Sequence, residues 1–299
     1  MSALDALFAP LGAEAFFSTC WEQAPVHLPG PAERGASLCS LALVREALAR
    51  PGPPPEGLML FPEHLDPLHP GLDRASLLAD PALLSAYLDA GHPLVWNRAR
   101  GLSPAIDALT SLLSVSFGAR VWPNVYATGT AGTPFDAHFD AHEVIAVQCE
   151  GHKRWWLSAL RVDRPLDVAA MEPALGEALK SRRDEALART LFEVTAAPGS
   201  VVYVPRGQFH NAHAEGGRSL HVTFGIRLPT GHDAVEWLAR EALADPGLRE
   251  YLLPSVLDEE GEGFALEARA IHARLSELFS QDRVAHALRT IRRAMRRPG

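Results

Sequence analysis

PFDAHFDAHEVIAVQCEGHKRWW, residues 134–156, is where the chain commits to β-structure. His138 and Asp140 flank Phe139, and an apolar run from Val144 to Val147 follows them. Side chains two apart on a strand project from one face, so this imidazole and this carboxylate point together. The segment VVYVPRGQFHNAHAEGG, residues 201–217, supplies the complement. There a β-branched run reaches Pro205, turns at Gly207 and presents His210. Two imidazoles and one carboxylate fill three corners on one side of a metal ion and leave the opposite side open to ligands. An H-x-D alone recurs by chance. The weight lies in the joint pattern of H-x-D, a second strand and a G-x-x-H at barrel-like spacing.

The surroundings fit a β-barrel interior. Between about 119 and 228 the chain reads as short strands: Val121 to Ala127, Val144 to Gln148, Arg154 to Leu157, Phe192 to Thr195, Ser200 to Val204 and Leu220 to Ile226. Gly, Pro and Asn separate them, as in an all-β barrel or sandwich. One helical pattern, roughly 166–190, interrupts the series. Upstream, residues 1 to about 60 read as helix, loop, helix, with LALVREALA at 41–49 ending before PGPPPEG. Helical patterns follow at 75–89 and 104–116, and Pro93–Trp96 reads as a buried strand. After Pro229, helical stripes return: Val235/Leu238/Ala242/Leu243, Ile271/Leu275/Leu278 and Val284/Leu288/Ile291/Met295. The expected class is mainly β with α extensions (α+β), a double-stranded β-helix of cupin type. The expected division is a helical extension at 1–60, a catalytic barrel at 61–229 and a helical region at 230–299. The stripes of that last region need a partner surface, the barrel or a second copy; their separation favours a homodimer.

Bulk properties narrow the setting. The 299 residues can bury one large core plus a smaller unit, with an ordinary 47% hydrophobic and 21% charged residues. No stretch has the length of a bilayer span, so no membrane role is expected. The N-terminus has no basic leader before its apolar residues, and Cys20, Cys39 and Cys149 are few and far apart. Both point to the cytoplasm. A net charge of −8 disfavours general nucleic-acid binding. Arg289, Arg292, Arg293, Arg296 and Arg297 form a local exception, readable as cations complementing a helix dipole or as a surface for RNA or an acidic partner.

The donor set at His138, Asp140 and His210 is that of the facial triad of non-haem Fe(II) oxygenases. From about Phe16 to Arg227 the chain resembles the JmjC-type ribosomal oxygenases and related cupin-like hydroxylases. FFSTCWEQAPVHLPG (16–30) is similar to the family's opening motif, PRGQFHNA (205–212) to its P-R-G-x-x-H-x-A, and SLHVTFGI (219–226) to its closing strand. The resemblance implies Fe(II) held by His138, Asp140 and His210, with His210 rather than His213 as third ligand. It implies 2-oxoglutarate as co-substrate, with Lys153 pairing its distal carboxylate and Asn124 and Tyr126 lining its pocket. The free end of a chelated dicarboxylate needs a counter-charge away from water, and Lys153 is one of only two lysines, with Lys180. The implied activity is hydroxylation of a protein or peptide side chain, a ribosomal protein among the candidates. The family's helical region is typically followed by a winged helix for which this sequence has no room, which widens the expected substrates to other proteins, peptides or small molecules.

The remaining histidines carry weaker readings. His221, mid-strand, is a candidate donor beside the metal ligands or a core residue bonded to backbone. His152 reads as exposed in a turn, His142 as facing the pocket or the core. One of Trp155 and Trp156 should face in and the other out. Two other classes compete: a cupin isomerase or hydrolase using Zn or Mn without a 2-oxo acid, and a non-catalytic metal-binding barrel.

Overall fold

The computed structural model describes residues 2–50, 53, 55–61, 74–129, 136–166, 182–252 and 261–295. Among these residues eight strands form one sheet: β1 (Val26–Leu28), β2 (Leu58–Leu60), β3 (Leu94–Trp96), β4 (Arg120–Thr128), β5 (Glu143–Arg161), β6 (Thr190–Ala196), β7 (Val201–Val204) and β8 (Gln208–Arg227). The hydrogen-bonded order is β1-β7-β5-β8-β4-β3-β2, with β6 beside β5. Helices precede and follow the strands, so the architecture is the mainly-β cupin-like core with α extensions expected from the sequence.

Strand β5 organises this sheet. Its first half, Val144 to Val147, lies between β7 and β8, and its second half, Lys153 to Leu157, between β6 and β8. The changeover falls where the register with β8 shifts between Gln148 and His152. Gly151 makes that shift with φ of 62°, and a Cβ there would lie 1.9 Å from the Arg218 carbonyl oxygen. Such a left-handed residue inside a strand is a bulge, which bends the strand and raises its twist. The segments 144–148 and 154–157, read separately from the sequence, are therefore one continuous strand. His152 is exposed as expected, but in that strand and not in a turn. The segment around His210 is likewise strand, paired in register with Leu157, and not a loop beyond a turn.

Two elements of the N-terminal region were illegible. β1 and β2 have three residues each, too short to show a period of two, and lie within the stretch read as helix, loop, helix. Most of the 166–190 pattern lies outside the described residues; helix Arg183–Leu187 is its described part.

Alternation places the core. Val144, Ala146, Trp155, Leu157, Val202 and Val204 pack as one cluster, and Trp155 is buried while Trp156 is half-buried, the expected in-and-out pair. The N-terminal helices plug this body through an aromatic stack. Phe16, on helix Ala13–Thr19, has its ring 3.8 Å from Phe8 and meets Tyr203 edge-on at 4.9 Å.

The chain divides into two compact units, one from residues 1–112 and 121–227, the other from 113–120 and 228–299. In the second, helices Gly231–Ala242, Glu262–Leu278 and Gln281–Met295 share a small core of Ala234, Leu238, Leu278 and Ala287. No described helix is long and apolar enough to cross a membrane.

Phe16 is fully buried. Phe16→Ala should lower the unfolding free energy by about 3–5 kcal/mol, read from urea midpoints at unchanged m-value.

Candidate metal centre

Backbone pairing brings the donors together. His138 N donates to His210 O at 3.1 Å, and His210 N donates to His138 O at 2.8 Å. This reciprocal bridge sets the two residues directly opposite one another, and their ring centroids stand 4.5 Å apart. Gly207 N donates to Asp140 O at 2.7 Å, continuing the antiparallel contact to the next alternate position. Gly207 has φ of 80°, and a Cβ would meet the Val162 carbonyl oxygen at 2.0 Å, so only glycine fits. The outcome is a cluster in which one ligand atom each from His138, Asp140 and His210 lies within 4.8 Å of the others.

The tautomers suit a metal. His138 Nδ1 lies 2.8 Å from Asp136 O and His210 Nδ1 lies 3.0 Å from Gln208 O. A carbonyl oxygen only accepts, so each Nδ1 carries the hydrogen and each Nε2 offers its lone pair. Burial holds His210 down to about 4, with His138 adding to the effect. Burial pushes the Asp140 carboxyl up, but His142, His210 and His138 outweigh it and keep it below the usual range. Near neutral pH the imidazole of His210 is therefore neutral and the carboxylate ionised, the forms that bind metals.

Lys153 is buried at 2% exposure, and its Nζ donates to Thr128 Oγ1 at 2.8 Å. Desolvation brings its ammonium down to about 7. His221 is also buried, its Nδ1 has no hydrogen-bond partner among the described residues, and burial followed by the charge of Lys153 holds it well below the ordinary imidazole value. Its ring stacks on Tyr126 at 4.8 Å and meets Trp155 edge-on at 5.7 Å, while Trp155 stacks at 6.1 Å on His210. These rings join the surroundings of Lys153 to the three donors. Burial, then the nearby Asp140 charge, push the Tyr126 phenol up to about 12. Asn124 Oδ1 accepts from Arg98 N at 3.0 Å, fixing a neighbouring turn. Thr128 was missed in the sequence, although Asn124, Tyr126 and Thr128 share one face of β4 at a spacing of two. Strand periodicity would have found it.

A cavity of about 530 Å³ opens beside Asp140, with Trp122, Tyr126, His142 and Arg98 among its walls. Trp122 occupies the space where a side chain on Gly225 would be, 2.5 Å from its ideal Cβ, and its ring meets His142 edge-on at 4.7 Å. His142 Nε2 stands 3.9 Å from Asp140 Oδ1. His213 is exposed beside Arg154 and Trp156 and outside the donor cluster.

Residues 101–234 match the family model described as the JmjC domain. Over that span the chain is similar to the JmjC domain. A similar protein is the "Bifunctional lysine-specific demethylase and histidyl-hydroxylase NO66" of Drosophila mojavensis, 27% identical over 263 residues, 85% of this chain and 27% of that protein. "Ribosomal oxygenase 1" of Rattus norvegicus is 31% identical over 144 residues, 48% of this chain and 23% of that one. The chain thus spans about a quarter of the length of these relatives. The JmjC fold is shared with Escherichia coli ribosomal oxygenase YcfD, with a TM-score of 0.57, 15% identity and coverage of 93% of this chain and 69% of that one. Another structure of YcfD, in complex with cobalt and 2-oxoglutarate, gives a TM-score of 0.53 at 16% identity, covering 91% and 67%.

The depressed Lys153 amine has a consequence for stability. Between about pH 7 and pH 10.5 the unfolded chain holds a proton that the folded chain lacks, so stability rises with pH across that window. Lys153→Met keeps most of the side-chain volume and removes the titration. The melting temperature of metal-free protein should climb less between pH 7 and 10 in this variant than in wild type, and an equal climb would exclude Lys153 as the source.

Proposed function

We propose that this chain is an Fe(II)- and 2-oxoglutarate-dependent oxygenase that hydroxylates a side chain of a protein or peptide. The observation that carries the reading is the pairing of two environments in one interior: a three-donor set of two imidazoles and one carboxylate, and a buried Lys153 amine, hydrogen-bonded to Thr128, whose charged form an anion beside it would favour. Three protein donors leave coordination positions open, and a buried cation calls for an anionic partner. A molecule with a chelating 2-oxo acid at one end and a carboxylate at the other satisfies both. A cupin isomerase or hydrolase has no use for the ammonium.

When bound, iron would supply the activation of dioxygen that couples decarboxylation of 2-oxoglutarate to succinate with oxidation of the substrate. The chain supplies the rest. His138 and His210 would bind through Nε2, each oriented by the carbonyl its Nδ1 faces, and Asp140 through its carboxylate. Lys153 and the Thr128 hydroxyl would hold the distal carboxylate of the co-substrate. Trp155 and His221 would exclude water around it, and the Tyr126 phenol, protonated at neutral pH and hydrogen-bonded to the Asn124 and Thr223 side chains, would line the same pocket. Asn124 braces the strand that carries Tyr126 and Thr128. The cavity walled by Trp122 and His142 would admit the target side chain.

A protein substrate, a ribosomal protein among the candidates, is supported by the names of the relatives and of YcfD. We assign the protein to the cytoplasm and residues 230–299 to a helical region suited to self-association, with Phe264, Leu266 and Leu275 exposed on it.

Purified protein with Fe(II) should turn 2-oxoglutarate into succinate, and Asp140→Ala should cut that rate by more than about 100-fold. Lys153→Ala should raise KM for 2-oxoglutarate by about tenfold or more while metal binding persists. Equal turnover by wild type and Asp140→Ala would remove the metal assignment. A gain of one oxygen in lysate proteins, followed by mass spectrometry, would report the target.

A further inference from the structure

Charge is segregated along the C-terminal part of the chain. Residues 228–280 contain eleven carboxylates and four arginines, whereas residues 281–299 contain one carboxylate and six arginines. In a protein of net charge −8 this is a local reversal of sign. We propose that the exposed face of helix Gln281–Met295 carrying Arg289, Arg292 and Arg293 binds the phosphate backbone of single-stranded RNA.

Helical spacing places the three guanidinium groups together, since residues three and four apart are neighbours on a helix surface. All three are exposed, and among the described residues none is paired with a carboxylate, unlike Arg274, which bonds Asp245 at 2.9 Å. Complementing the helix dipole does not account for the pattern. Arg292 and Arg293 lie in the last turn, where cations are favoured, but Arg289 lies before it, and Arg283 lies near the N-terminal end, where a cation is disfavoured.

The opposite face of the helix chooses among anionic partners. Ala287 is buried, and Val284 and Leu288 pack with it against Leu238 and Trp237. That apolar stripe is already used, so the helix has no free face to insert into a bilayer, which sets it apart from a membrane-surface helix. What remains is a narrow row of forked donors. Guanidinium groups bind phosphate oxygens in pairs, and successive phosphates along a flexible strand can settle on groups one helical turn apart. Three arginines grip weakly, as suits a contact that adds to binding at another site rather than replacing it.

The test is fluorescence anisotropy of a labelled 20-nucleotide single-stranded RNA with the full chain. Wild type should bind at 50 mM KCl and weaken by about 20-fold at 200 mM, as three phosphate contacts require. Arg289→Glu/Arg292→Glu/Arg293→Glu should weaken binding at least tenfold at unchanged helix content by circular dichroism. The same charge change elsewhere, Arg50→Glu/Arg189→Glu/Arg218→Glu, should have a much smaller effect. No binding by wild type at 50 mM KCl, or equal loss in the two triple variants, overturns the proposal. So does polyglutamate competing as well as unlabelled RNA at equal charge concentration, which would give the face to an acidic protein.

Discussion

The structure turns on a pair of backbone hydrogen bonds, those exchanged between His138 and His210. They are short-range and nonspecific in chemistry, yet they determine that two imidazoles separated by about 70 residues stand side by side. A one-residue slip of either segment would turn its ligand side chains to the other face, because the strand period is two. Gly207 guards against that slip. Its amide holds the Asp140 carbonyl, and its own conformation admits no other residue, so the register of the ligand segment is locked at both ends.

That lock rests on a second layer. Tyr203 Oη donates to Glu143 at 2.5 Å and accepts from Glu22 N at 2.8 Å, while Arg206 reaches Glu22 at 2.8 Å. Glu143 lies three residues after Asp140, and Arg206 immediately before Gly207. The N-terminal segment is thus tied to both sides of the ligand bridge through one buried carboxylate. Desolvation raises Glu143 above the ordinary carboxylate range, with the Tyr203 hydrogen bond and the Arg206 amide opposing it. A buried carboxylate with good donors specifies a geometry more than it adds stability.

The sequence disclosed the donors because their chemistry is rare and their spacing follows strand geometry. H-x-D reads directly as two side chains on one face. The long helices read from their apolar stripes, and helix Pro104–Phe117 lies where its pattern placed it. What stayed hidden had no local signal. Strands β1 and β2 exist because partners wait for them, Val26 opposite Tyr203 and Leu58 opposite Trp96, and three residues cannot advertise a period. The continuity of β5 depends on the tertiary fit of Gly151 against Arg218, which turns an apparent break into a bulge. Thr128 is a different case: its position was legible, but a hydroxyl becomes notable only once the amine it touches is seen to be buried.

The three donors also differ in how openly they face the surroundings. The His210 side chain is 7% exposed and that of Asp140 is 31% exposed, on the flank where the cavity opens. An ion and a target side chain entering from this cavity would share one doorway past the carboxylate. Filling that doorway would trap the ion behind it. Assembly then has a natural order, with the ion seated first and the bulky guest last, and departure must run in reverse.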